Sequence, residues 1–427
     1  MKAGPVSKHD VVITGIGLAT PIGHDADAVW GRLVEAKTAV KRLEPLGQGG
    51  STVEDFNPAE HVKQKKILRM TNRATVFSLA AARRAWADAG LEGEPAYDPT
   101  RFGIYTGSGE SEMRPEAFLH GLAHAVDEHG RLDVGAFART GLDDVDPYVA
   151  LTSLSNNALC YISVAHQLMG PNSNYVKSAV ASSQALGEAA WIVRHGYADA
   201  VMVVGVDSLS DSLAMVAYNS LGLLCTAPTE VGAAMRPFDR SRSGLAPGEG
   251  AGAVVIESAE GAARRGARVH GRVLGFGQAT YVVDVFEGVS DGSGLTTAIT
   301  EALADASLPA DRVDFIVADG SASVHGDASE AAGIARVAGG ALRKTPLTAT
   351  KPVSGHLGAA TGVVEAIFSL LMMKHGQLPP ICNLRDPAVD PPLGFVTERP
   401  LPGQFRAGLH IARGLGGQNA VLVLGSA

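Results

Sequence analysis

The chain has 427 residues, of which 46% are hydrophobic and 19% charged, with a formal net charge of -8. That length allows two to three domain-sized units and a sizeable buried core. The acidic balance, with a pI of about 5.9, argues against a general nucleic-acid or anionic-membrane surface. Only 5% of residues are aromatic, so the core must be built from aliphatic and small side chains. No apolar run is long enough to span a membrane, and Met1 to Asp10 has no apolar signal-peptide core. The three cysteines, Cys160, Cys225 and Cys382, form no CxxC pair and have no metal-type spacing. A reducing, cytoplasmic location without disulfides, metal or cofactor is the expectation.

Val11 to Gly23 reads as a buried strand entering a Gly-rich turn, with a helix from about Asp25. Thr71 to Leu91 predicts an Ala-rich buried helix, and Phe102 to Gly109 a short strand ending in glycines. Glu110 to Asp146 is polar and acidic without a clean period, and predicts a loop long enough to have a function. Ser182 to His195 has helical spacing; Ala200 to Asp207 and Ala251 to Glu257 are continuous apolar strands. The theme then repeats. Arg272–Gly277 and Val313–Ala318 read as strands, Leu295–Ala306 and Gly362–Gly376 as helices, and Asn419–Leu424 as a closing strand. Continuous apolar strands alternating with helices point to an α/β fold with a sheet covered on both faces. The repetition predicts an internal duplication near residue 257, dividing the chain into 1–257 and 258–427, although the halves share no visible identity.

Five stretches carry a resemblance. They are Val11–Gly23, Val176-Lys-Ser-Ala-Val-Ala-Ser-Ser-Gln-Ala-Leu-Gly187, and Pro237-Phe-Asp … Gly248-Glu-Gly-Ala-Gly252. The others are Lys351-Pro-Val-Ser-Gly-His-Leu-Gly358 and Gly414-Leu-Gly-Gly-Gln-Asn419. In this order and spacing they are similar to the β-ketoacyl synthase (ketosynthase) family of the thiolase fold, across essentially the whole chain. The resemblance implies two α/β halves packed as a five-layered αβαβα body. It also implies a dimer whose interface holds the strand after Asn174, the helix from Asn156 to Met169, and the Glu110–Asp146 segment.

The family's catalytic set is broken here. A condensing enzyme needs a thiolate at a helix N-terminus. An ungapped count places Ala179 in the Cys slot; matching the small-residue run Ala181-Ser182-Ser183 places Val180 there. Neither carries a nucleophile. Ser178 and Ser182 are the nearby hydroxyls, and packing of a tight turn is the simpler role for them. Asp319, in Val317-Ala-Asp-Gly-Ser-Ala-Ser323, occupies the position of the family's first His. An ionised carboxylate has no proton to donate and repels a malonyl carboxylate and the developing enolate. Losing one such donor costs ~3–4 kcal/mol.

His356 and Lys351 match the family's second His and its supporting Lys, and inherited packing is the favoured role for both. Pro352 replaces the Ser after that Lys. Ser321 and Ser323 keep hydroxyls where the family contacts pantetheine. Leu415 replaces a gating Phe. His325 reads as a loop histidine, Glu249 as a structural acid pairing the two halves, and Cys160 as a small buried residue near the interface.

A scaffold kept without its chemistry resembles the chain-length factor, the Cys-less sister that pairs with a catalytic ketosynthase in type II polyketide synthases. That resemblance implies a catalytic ketosynthase partner, contact with an acyl carrier protein through the complex, and no nucleic acid or membrane. It makes Met113, Phe118, Leu122, Phe137 and Tyr148 candidates for limiting acyl-chain length. Aromatic-type chain-length factors carry Gln in the Cys slot, so a reducing, polyene-type pathway is equally open. Two other readings stand: a ketosynthase-like acyltransferase or hydrolase using Ser182 or His356, and a homodimeric acyl-binding protein.

Overall fold

The computed structural model describes residues 10–44, 47–62, 65–93, 95–109, 116–210, 212–226, 230–282 and 291–427. Eleven strands form one sheet. They are β1 (Val11–Ala19), β2 (Phe102–Ser108), β3 (Asn172–Val176), β4 (Ala200–Ser208), β5 (Glu249–Ser258), β6 (Gly271–Thr280), β7 (Phe315–Val317), β8 (Pro346–Thr348), β9 (Gly394–Phe395), β10 (Ala407–Gly414) and β11 (Gln418–Ser426). The spatial order is β9-β8-β7-β10-β11-β6-β1-β5-β4-β2-β3.

The two sides of this order are the same pattern. Outward from β1 run β5 and β4 as antiparallel steps, then β2 and β3 as parallel ones. Outward from β6 run β11, β10, β7 and β8 with the same sequence of antiparallel and parallel steps. A short antiparallel contact, Val12 with Arg272 and Ile13 with Gly271, joins them.

Five helices complete the layers: α1 (Arg73–Asp88), α2 (Ala181–Arg194), α3 (Ser293–Asp305), α4 (Val324–Arg336) and α5 (Thr361–His375). Helix α1 covers the outer face of β1 and β5, and α3 that of β6 and β11. Helices α2 and α5 pack on each other between the two half-sheets, giving five layers. Glycine makes both outer contacts possible. A Cβ at Gly15 or Gly17 would collide with the α1 carbonyls of Ala85 and Ala81. One at Gly275 or Gly277 would collide with the α3 carbonyls of Ala302 and Ala298. The close approach lets Ala-rich helices lie directly on the sheet. The central helix α5 is buried on every face from Thr361 to Met372, as its unbroken apolar run requires.

Three expectations are corrected. The segment beyond Gly109 is not a plain loop: helices run over Glu116–Ala123 and Val134–Arg139, followed by a 3-10 turn at Gly141–Asp144. Cys160 is exposed, not buried. It sits on the helix Asn157–His166, whose buried residues Ala158 and Ile162 lie four apart, which turns position 160 outward. Glu249 does not pair the halves. Its carboxylate takes a 2.7 Å bond from Arg73 of α1, a 2.8 Å bond from the Val53 N–H and a 3.2 Å bond from Ser208 Oγ.

Candidate functional site: the heads of the two central helices

The N-termini of α2 and α5 meet. Ser182 Oγ accepts the Val363 N–H at 3.1 Å, and Asp207 Oδ2 accepts the Ala359 N–H at 2.7 Å. Any side chain at Gly205 or Gly362 would collide with Ser182. Ser182 is therefore committed to this junction, and it does not line the nearby cavity. Ser178 Oγ accepts the Leu415 N–H at 3.2 Å.

The cavity at this junction has a volume of about 470 Å³, and Ser178, Ala179, Asp319, His356, Arg413 and Leu415 are in its wall. Ala179 presents a methyl group there. Val180 turns the other way and packs with Ala412, Ala420 and Phe276. Ser321 and Ser323 also line the cavity, their hydroxyls 3.1 Å apart, and Ser323 caps α4. His325, in the first turn of α4, is exposed and belongs to the same wall.

Behind the cavity lies a buried charge network. Lys351 Nζ donates to the Asp319 carbonyl at 2.5 Å, to Asp319 Oδ1 at 3.1 Å and to Glu365 Oε2 at 3.3 Å. Glu365 also accepts from Thr350 Oγ1 at 2.6 Å and lies 3.1 Å from His410 Nε2. Burial alone would raise the Asp319 carboxyl; its cationic neighbours, the Lys351 charge foremost, overcome it and hold the group below the ordinary carboxylate range. Burial would likewise raise Glu365, and Lys351 with His410 hold it low. Asp319 is thus ionised and offers no proton. Its charge is compensated by Lys351.

His356 is buried, and desolvation, then the Lys351 charge, lowers it to about 4. It is neutral near pH 7. Its Nδ1 accepts the Gly358 N–H at 3.1 Å, so the ring proton is on Nε2.

Sequence reasoning missed two further carboxylates. Glu330 accepts the backbone N–H groups of Asp319 and Gly320 at 2.7 and 3.0 Å; Asp327 accepts those of Phe238 and Ala322 at 2.6 and 3.0 Å. Burial, then the neighbouring charge of Asp319, raises Glu330 to about 8. Burial is the main cause that raises Asp327 to about 7. Arg413 was also missed. Its backbone N–H reaches Asp319 Oδ1 at 3.1 Å, and its guanidinium bonds Gly326 O, Ser329 Oγ and Asn419 Oδ1. Acids three apart at the start of a helix were the available signal.

The chain-length candidates lie elsewhere. Phe118, Leu122, Phe137 and Tyr148 are half-buried, and none lines the cavity. Phe137 packs against Gly121 and Gly141 within its own segment, and the Arg69 guanidinium sits 5.5 Å over the Tyr148 ring. Met113 lies outside the described residues. Among the described residues, no cluster of three or more His, Cys, Asp or Glu could hold a metal, and no helix is long and apolar enough to cross a membrane.

The duplicated sheet and the paired central helix heads define a thiolase-like ketosynthase fold. A solved β-ketoacyl synthase from Burkholderia phymatum STM815 superimposes with a TM-score of 0.85 at 25% identity, covering 98% of this chain and all of that one. A solved structure described as the ishigamide ketosynthase/chain length factor gives 0.85 at 27% identity, with the same coverage. The family model for the β-ketoacyl synthase N-terminal domain matches residues 8–262, and that for the C-terminal domain matches 280–385. The 3-oxoacyl-[acyl-carrier-protein] synthase 2 of Coxiella burnetii (strain RSA 493 / Nine Mile phase I) is 30% identical over 425 residues, 98% of this chain and 99% of that protein. That of Rhizobium meliloti (strain 1021) is 30% identical over 431 residues, 97% and 98% of the two chains. The chain belongs to the β-ketoacyl synthase family.

Proposed function

We propose that this chain is a non-condensing member of its family, a chain-length-factor-like subunit that pairs with a catalytic ketosynthase and shapes its acyl tunnel. One observation carries the reading: at the head of α2 the cavity wall is the methyl group of Ala179, with ionised Asp319 opposite the role of a proton donor. Neither step of condensation, thiolate attack or enolate stabilisation, has its group. Curated relatives are named as condensing enzymes, so the proposed loss of chemistry is this chain's own departure. The division into halves 1–257 and 258–427 is part of the same reading.

The sheet edge supports a partner. Strand β3 ends the sheet, and Asn172 and Val176 on it are exposed. Val164, on the adjacent helix, is 79% exposed and Met169 just beyond it 63%. A strand edge unpaired among the described residues, beside exposed apolar side chains, is a template for a second chain, and the interface is of the large, obligate class. An acyl carrier protein would reach the assembly through the catalytic partner. The pathway is of the type II polyketide class, aromatic or polyene.

The test is co-expression with a Cys-bearing ketosynthase, followed by size-exclusion chromatography and condensation assays with acyl and malonyl thioesters. The pair should co-elute and condense, and this chain alone should do neither. Steady release of β-ketoacyl product by the pure chain, or a soluble monomer with no affinity for any ketosynthase, sinks the reading.

A further inference from the structure

A second cavity lies away from the helix heads. It has a volume of about 570 Å³, and its wall includes Leu18 of β1, His24, Arg84 of α1, Arg268, and Lys374 of α5. An adjoining pocket of about 270 Å³ shares Arg268 and Lys374 with it, so the two form one groove. Lys374 is in the last turn of α5 and Thr361 in its first, which puts the groove roughly 20 Å along the axis from the helix head.

The acids in this wall are engaged. Asp25 Oδ1 accepts the Asp27 and Ala28 N–H groups, each at 3.0 Å. Asp27 pairs with Lys374 at 3.3 Å. Asp88 Oδ2 accepts the Ile16 N–H at 2.9 Å and lies 2.7 Å from His270 Nε2. The guanidiniums are less well met. Arg84 gives one N–H to the Leu18 carbonyl at 3.1 Å, and among the described residues neither Arg84 nor Arg268 forms an ion pair with a carboxylate. Burial, then the like charge of Arg83, lowers the Arg84 pKa. A partly buried cation left without a counter-charge is costly. Arg84 lies one turn before Asp88 on α1, and Arg268 two positions before His270, so both cations start beside the same His270–Asp88 pair. The third feature is His24: its Nδ1 is buried and has no hydrogen-bond partner among the described residues.

We propose that this groove binds an organic phosphate monoester through its phosphate group. Arg84 and Arg268 hold the phosphate oxygens from the N- and C-terminal parts of the chain, and His24 donates from Nδ1. Guanidinium forks match phosphate geometry, and a neutral imidazole can carry its proton on Nδ1. The size of the cavity favours an ester over the free ion: small-molecule sites of this volume enclose a whole organic ligand. Ile16, Leu18 and Leu371 supply an apolar side for its body. The site is independent of the proposed function, since neither Arg84 nor Arg268 is in the wall of the cavity at the helix heads. No bond forms or breaks.

The experiment is calorimetric titration of the full chain, with phosphorus NMR line broadening, using inorganic phosphate, adenosine monophosphate and adenosine as probes. Adenosine monophosphate should bind saturably and at least fivefold more tightly than inorganic phosphate, and adenosine should not bind. Arg84→Gln and Arg268→Gln should each weaken adenosine monophosphate at least tenfold, as loss of a charged hydrogen-bonding partner does; His24→Phe should weaken it by a smaller factor. Arg240→Gln, which removes an exposed charge paired with Asp386 elsewhere on the surface, should leave it within about twofold. No saturable binding of either phosphate compound, equal affinity for the two, or equal weakening by Arg240→Gln and Arg84→Gln overturns the proposal. The comparison of the three probes on the unsubstituted chain stands even if a variant does not fold. Condensation and partner association are not read by this titration, so the site can fail while the non-condensing reading stands, and the reverse.

Discussion

The heads of α2 and α5 face the same cavity but are held very differently. At the head of α2, Ala179 contributes a methyl group, and the fold around it is made by neighbours: Val180 in the core and Ser182 at the helix junction. At the head of α5, Lys351 holds Asp319 and Glu365 while Glu365 bonds Thr350 and His410. A thiol at the first site would hold nothing up, so it can be absent without structural loss. Lys351 cannot be absent in the same way, because it is the cation bonded to both buried carboxylates. The bonds of Lys351 therefore report packing and charge balance, and by themselves say nothing for condensation chemistry.

The comparison breaks most sharply at Lys351. Lys351→Met should cost ~3–5 kcal/mol, the penalty of stranding buried charges, read as a loss in urea unfolding free energy. A cost below about 1 kcal/mol would mean that the network does not hold the α5 head. A pH series sharpens the same point. Glu330, at about 8, and Asp327, at about 7, titrate above their unfolded values in the folded chain. Between roughly pH 4.5 and 8 the folded state then binds more protons at these groups than the unfolded state, and their contribution falls as pH rises. His356, at about 4, works oppositely: its contribution is lost as pH falls from about 6.5 toward 4. Glu330→Gln should flatten the decline in urea midpoint between pH 6 and 8; an unchanged slope would refute the Glu330 assignment.

The helical segment beyond Gly109 gives a smaller effect. Phe137→Ala should cost about 2 kcal/mol, below the range for a fully buried ring, because Phe137 is half-buried between Gly121 and Gly141. Product analysis of the reconstituted pair with Ala at Phe118, Leu122, Phe137 or Tyr148 reads their proposed control of chain length. Unchanged products from folded complexes would leave these residues as local anchors only. The smallest change is expected at the α2 head: Ala179→Cys should shift stability by under about 1 kcal/mol and, on the proposed non-condensing reading, release no β-ketoacyl product, because ionised Asp319 has no proton to donate. Mass spectrometry of the reaction with acyl and malonyl thioesters is the check.

Much of the fold was legible in the chain. The strands around Val11, Ala200 and Asn419 are continuous apolar runs, and a strand buried on both faces can read no other way. The Ala-rich stretch that became α1 and the unbroken apolar stretch that became α5 were legible for the same reason. The short helices at Glu116–Ala123 and Val134–Arg139 were not. They are solvent-facing, with apolar residues such as Leu119 and Val134 exposed, so no buried stripe marks them.

The sequence by itself determined that residues 176–187 hold no cysteine and residues 317–323 no histidine, since residue identity is read directly. It left open whether Ala179 or Val180 faces the site. Tertiary structure decided that: successive residues at a helix start point about 100° apart, sending Ala179 to the cavity and Val180 to the core. It also decided the charge state of Asp319, because Lys351 is 32 positions away in the chain and only the packing of β7 beside β8 brings their following turns together. Pairing at that distance is set by the sheet, which no local pattern of residues records.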